Sequence, residues 1–264
     1  MLPWLFPLLL TAGLFVVTWG ARRSQAFAWA LLPIFGLPFV VPAVLGVVDV
    51  SWFTWAKVIT LLVVLAAYNL FRFTRLGDTR TGAWMLWGLL ALNIAEAVAK
   101  DWSDGFWVRG AVGLGLILTL GGTRAIGRQG LTRDIHWDLP LSWILTYSAW
   151  NLSFALRFYW EHTTDHVSHL GIPLLWVVLA RGQWFQARGY ALAVYALVIV
   201  AWIEGFRMPW PEPVFVAGPA LYVPLTALSL ALLTWHVGHR LGLTTDLLTP
   251  YRSSSDRRPH GLVQ

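Results

Sequence analysis

"AFAWALLPIFGLPFVVPAVLGVV" fills residues 26–48 without one charged side chain. As a helix rising 1.5 Å per residue, such a run reaches roughly 35 Å, more than the hydrocarbon thickness of a bilayer. In lipid only helices and closed barrels satisfy every backbone group. The run is too long and too continuous for an alternating barrel strand. It reads as a membrane-spanning helix.

Working outward, eight further apolar segments appear, at about 2–20, 54–71, 83–99, 106–122, 140–159, 165–180, 185–206 and 219–238. The composition agrees, with 57% hydrophobic and 12% charged residues among 264 and a mean hydropathy of +0.61. Soluble domains carry about 25% charged residues. The expected fold is all-α, a polytopic bundle of about nine transmembrane helices over residues 1–238, followed by a polar tail over 239–264. The first segment lacks a positively charged leader region and reads as a retained span.

Orientation follows from the basic residues. Alternate loops hold Arg22 and Arg23, then Arg72, Arg75 and Arg80, then Arg124, Arg128 and Arg133, then Arg181 and Arg188, and finally Arg240 and the tail arginines. Fourteen of the nineteen basic residues fall on that side, leaving Lys57, Lys100, Arg109, Arg157 and Arg207 opposite. The positive-inside rule puts the N-terminus outside and the tail in the cytoplasm of a multi-pass protein of the cell inner membrane. Trp4, Trp19, Trp102, Trp107, Trp137, Trp184 and Trp235 near the segment ends fit an interfacial aromatic belt. The high pI reflects these loops, and no nucleic-acid partner is expected; the partner is the lipid bilayer. The chain has no cysteine, which excludes disulfides, thiol catalysis and Cys-bound metals.

Two segments look irregular. Pro33, Pro38 and Pro42 interrupt the second, as in the broken helices that frame transporter sites. The fifth, "WVRGAVGLGLILTLGG" (107–122), is rich in glycine, which lets helices approach closely.

Polar residues inside apolar segments are the functional candidates. Asn93, Glu96 and Lys100 share one helix face. They form either a structural pair with Lys100 snorkelling outward or a carboxylate suited to proton coupling or cation binding. The sixth segment carries Thr146, Trp150, Ser153 and Arg157 as a stripe with Tyr147 and Asn151 beside it, and is expected at the centre of the bundle. The cytoplasmic carboxylates Asp78, Asp134 and Asp138 lie among arginines and need only solvated pairs.

"FYWEHTTDHVSHLGIPLL" (158–175) concentrates His162, Asp165, His166 and His169. Histidines at helical spacing with a carboxylate can hold a divalent metal, zinc or similar. The seventh segment is too short to span without recruiting "DHVSH" into its first turns. A di-iron desaturase is excluded because the other pair, His236 and His239, falls at the opposite face, where helix-end histidines suffice. Walker, nucleophile-elbow, zincin and dinucleotide signatures are absent.

The stretches "LNIAEAVAKDW" (92–102), "LSWILTYSAWNLSFAL" (141–156), "HVSHLGIPLL" (166–175) and "WFQARGYAL" (184–192) together resemble an uncharacterised family of bacterial integral-membrane proteins. The matching positions are Asn93, Glu96, Lys100, Asp101, Trp150, Asn151, His166, His169, Gln186 and Arg188. The resemblance implies a bacterial inner-membrane protein and no particular reaction.

Three functions follow as expectations. The first is a transporter or permease with an outward-facing polar site that takes a proton, cation or small polar solute. Glu96, Asn93, Lys100, Asn151, Arg157 and Trp150 would form its path. The second is a metal-dependent membrane enzyme acting on a lipid or envelope substrate through His162, His166, His169 and Asp165. The third is a scaffold without catalysis.

Overall fold

The computed structural model describes residues 5–47, 52–158, 163–199 and 219–243. Among them are nine α-helices, one in each apolar segment: α1 (Leu5–Arg23), α2 (Gln25–Val44), α3 (Trp52–Phe73), α4 (Arg80–Ser103), α5 (Trp107–Leu118), α6 (Leu141–Phe158), α7 (Thr163–Ala180), α8 (Trp184–Ile199) and α9 (Tyr222–Arg240). Three of these, α1, α2 and α4, are long and apolar enough to cross a membrane, while α5 and the Val58–Phe73 part of α3 are shorter apolar helices. Their outer faces expose Leu8, Val16, Ile34, Val44, Leu92 and Leu118.

Local chemistry sets the helix ends. Ser24 caps α2 by accepting the Phe27 amide proton at 3.1 Å, and Thr79 caps α4 through the Gly82 amide at 3.0 Å. Arg22 and Arg23 close α1, where cations offset the helix dipole.

The structure departs from the sequence reading in four places. First, the fold is not purely helical. The segment read as a loop between α5 and α6 contains a hairpin, β1 (Ile126–Gln129) antiparallel to β2 (Asp134–Trp137), with Ile126 opposite Trp137. Ile126, Ile135 and Trp137 are buried, and the turn uses positive φ at Gly130 and Arg133. Second, α2 runs unbroken through Pro33, Pro38 and Pro42. Third, α5 stops at Leu118, short of the glycine pair at 121–122.

Fourth, α8 and not α6 is the central helix. It packs on α1, α2, α3, α7 and β2, and nearly its whole surface is buried. A helix apolar on every side belongs inside, and Ala187, Gly189, Ala191 and Ala193 let neighbours close in. α6 instead packs chiefly on α9, then on α5 and α7. Close approach also joins α5 to its neighbours: a Cβ on Gly113 would sit 2.5 Å from Val98 Cγ2 and 2.8 Å from the Trp150 ring.

Candidate functional site

One end of the bundle is tied by a buried knot. Asp134, at the start of β2, is 1% exposed, not the solvated loop carboxylate its arginine-rich surroundings suggested. Its Oδ2 accepts from Arg22 Nε at 2.8 Å, Thr132 Oγ1 at 2.7 Å and Gln183 Nε2 at 3.0 Å. Its Oδ1 accepts from Gln186 Nε2 at 3.1 Å and faces Arg72 Nη2 at 3.7 Å. Arg72 is itself fully buried. It donates to the carbonyls of Ala21, Arg22, Thr132 and Arg133 and to the Tyr190 hydroxyl. That uses all five guanidinium protons. Tyr190 in turn donates to Asn69 at 2.7 Å, and Asn69 donates to the Ala28 carbonyl at 2.9 Å. Arg128 pairs with Asp78 at the same end.

Inward from the knot lies a cavity of about 40 Å³ between α3, α4, α6 and α8. Its polar lining is Thr60, Tyr68, Asn93, Tyr147 and Arg188. Arg188, a cytoplasmic loop charge by the alternation of basic residues, instead sits in the second turn of α8 and is 3% exposed. The contrast with Arg72 is sharp. Arg188 Nε and Nη1 are buried without a hydrogen-bond partner. The guanidinium carbon stands 5.6 Å from the centre of the Tyr147 ring. Behind the cavity, Trp143 stacks on Tyr147 at 5.5 Å, and Trp184 meets Tyr147 edge-on at 5.3 Å. Tyr68 donates to the Phe185 carbonyl at 3.3 Å. Gly189 makes room for it, since a Cβ there would fall 2.2 Å from the Tyr68 ring.

Of the residues expected to form the path, Asn93 lines this cavity; Tyr147, beside the α6 stripe, and Arg188, a matching position of the resemblance, line it as well. Glu96 is half-buried one turn further along α4. Lys100 pairs with Asp104 at 2.8 Å, and its hydrogen bond holds the Asp104 carboxyl below the usual carboxylate range. Asn151 is half-buried. Trp150 is buried and donates to the Arg109 carbonyl at 2.9 Å. At that far end Asp101 and Arg109 form a fully buried ion pair. Phe106, Phe154, Phe158 and Tyr222 surround Arg109, and the Arg157 guanidinium stands 4.9 Å from the Phe106 ring centre.

α7 begins at Thr163, so Asp165, His166 and His169 occupy its first two turns and are buried. The His169 ring stacks on Tyr195 at 4.4 Å, and His166 Nδ1 lies 3.5 Å from the Tyr195 hydroxyl. His169 is also within electrostatic range of Arg188. The remaining proposed metal ligand, His162, and its neighbour Glu161 lie outside the described residues. Among the described residues no three His, Asp or Glu side chains converge as a metal site. Glu96 and the histidines sit on helices with different principal neighbours: α4 packs on α5 and α3, while α7 packs on α8, α1 and α6. His236, expected at an interface, is buried, with Nδ1 2.8 Å from Ser142 Oγ.

Arg72, Asn69, Tyr68 and Asp134 escaped the sequence reading as site residues. A signal existed in "AAYNLFRF" (66–73), where Tyr68, Asn69 and Arg72 interrupt an apolar helix at spacings of one and three residues.

No curated protein and no solved structure matches the chain. The DUF5692 model, a family of unknown function, matches residues 1–209, which include the whole cavity lining and the Asp134 knot, and the chain belongs to that family.

Proposed function

We propose that the chain is a multi-pass inner-membrane protein of transporter or permease type, with its N-terminus outside and its C-terminus in the cytoplasm. Its solute site is the cavity at Arg188. Nine helices among the described residues, three of them long and apolar enough to cross a membrane, with Leu, Val and Ile on exposed faces, support a bundle immersed in lipid. The collection of Arg22, Arg72, Arg128 and Asp134 at one end supports the charge-based orientation.

One observation carries the functional reading: a charged side chain, two tyrosines and an amide border a void inside a helix bundle. Polar groups are expensive at that depth and mark solute or ion pathways. Glu96, on the same face of α4 as Asn93, is the candidate for proton coupling. The Asp134 knot, which seals the end of the bundle next to the cavity, is placed to act as the inner closure.

The test is uptake by proteoliposomes holding the full chain, with imposed pH and voltage gradients and a panel of small labelled solutes. Uptake of at least one solute, reduced by Glu96→Gln or Asn93→Ala in protein that still melts cooperatively, is expected. A folded, inserted protein that moves nothing on the panel under either gradient would sink the reading.

A further inference from the structure

The three buried arginines of the described bundle are not treated alike. Arg72 faces Asp134 and Arg109 pairs with Asp101, whereas Arg188 has no ion pair or hydrogen bond among the described residues. Guanidinium groups keep their proton in proteins. Burying such a charge with its N–H groups unmet is strongly unfavourable. The face of Tyr147 offsets only a part of that. The missing negative charge belongs in the void that Arg188 borders.

We infer that the cavity binds a small planar monoanion, and specifically a short monocarboxylate of the size of formate or acetate, on the Arg188 guanidinium. A single positive charge matches a monoanion and leaves a phosphate or sulfate half-compensated. The volume of about 40 Å³ holds about three water-sized groups. That suits a carboxylate with a hydrogen or methyl and excludes sugar acids. A guanidinium fork meets a carboxylate through two parallel hydrogen bonds.

The second donor is Tyr147, whose hydroxyl has no hydrogen-bond partner among the described residues. Tyr68 has already given its proton to the Phe185 carbonyl and serves as a wall. Asn93 supplies an amide from α4, and Leu61, Val64 and Leu192 give an apolar side for a methyl group. The proposal rests on the reading of this cavity as the solute site, and it specifies the charge and size of what enters.

The experiment uses the purified full chain in nanodiscs, followed by thermal melting and titration calorimetry. Sodium formate, acetate and nitrate are compared with sodium gluconate and sodium sulfate at constant ionic strength. Formate or acetate should raise the melting temperature saturably, whereas gluconate and sulfate should not.

Arg188→Met should abolish the saturable shift yet melt at or above the wild-type temperature without anion, because an unmet buried charge has gone. Tyr147→Phe should keep the fold and weaken binding about tenfold, the loss of one hydrogen bond to a charged group. Should Arg188→Met fail to fold, Arg188→Lys takes its place, with binding weakened by loss of the planar fork.

The inference is overturned if folded wild-type protein shows no saturable response to formate or acetate, a response to nitrate alone included, or if the Arg188 and Tyr147 variants bind as the wild type does. Anion binding without proteoliposome flux would defeat the transport reading and leave this site standing. Flux of a neutral or cationic solute without anion binding would do the reverse.

Discussion

Gln186 grips Asp134 and the strand that carries it: its Oε1 accepts the Ile135 amide proton at 2.7 Å while its Nε2 donates to Asp134 Oδ1 at 3.1 Å. One side chain thus fastens the hairpin to α8 two residues before Arg188 enters the cavity. Gln186→Leu keeps the volume and strands both partners. It should destabilise the protein by about 2 kcal/mol, the cost of unsatisfied buried groups. Asp134→Ala, which also leaves Arg72 facing no charge, should cost about 3–5 kcal/mol. Thermal or denaturant unfolding in detergent measures both, and equal melting of Asp134→Ala and wild type would refute the knot as a stabilising element.

Gly189 is fixed by the Tyr68 ring that fills its empty side. A methyl group there would land 2.2 Å from Cε2 and 2.6 Å from the hydroxyl. Gly189→Ala must push Tyr68 toward the cavity and should cost about 1–3 kcal/mol, as overpacking does. Tyr68→Ala opens the space, so the double variant should recover most of that loss, a coupling that a double-mutant cycle reads directly. Additive effects would mean that the two positions do not meet.

The helices were legible in the sequence because uncharged length is a strong, local signal. Each of the nine apolar segments holds a helix, although Arg188 fell inside its segment and was still counted as a loop charge. The hairpin was not legible because four-residue strands among arginines leave little periodicity to read. The buried polar knot was hidden for a related reason. Charge near a segment end was assigned to topology, yet Arg72, Asp134 and Arg188 are buried by contacts between α1, α3, α8 and β2 that lie far apart along the chain. On α4, Asn93 lines the cavity, while Lys100 turns to Asp104 through its own hydrogen bond.

Two acidic residues three positions apart should behave in opposite ways. Asp101 is buried against Arg109, so Asp101→Ala should cost about 3–5 kcal/mol by leaving a buried cation unmet. Asp104 is solvated, and Lys100→Met should leave melting at neutral pH nearly unchanged. Its carboxyl is held low in the folded state by Lys100, so the pair's small contribution is complete above about pH 4 and fades as pH falls through the lowered folded value. Lys100→Met should remove that acid-side fall, and melting curves of the two variants between neutral and acid pH separate the cases. Reversal of the order at neutral pH would contradict the burial of Asp101.

Orientation can be tested cleanly because the chain has no cysteine of its own. Ser103, beyond the exposed Lys100 at the end of α4, and Gln129, at the tip of the hairpin, are both exposed and lie at opposite ends of the bundle. In the proposed arrangement the Asp134 knot faces the cytoplasm, since that end gathers Arg22, Arg72 and Arg128. A membrane-impermeant maleimide applied to intact cells should label Ser103→Cys and spare Gln129→Cys, which should react once the membrane is opened. Ser103 lies away from the knot and the cavity, and Gln129, although it is the cross-strand partner of Asp134, has an exposed side chain, so both variants should fold as the wild type does. Labelling of Gln129→Cys in intact cells with Ser103→Cys protected would invert the protein. Labelling of both would place the two ends on the same side and remove the transmembrane bundle altogether.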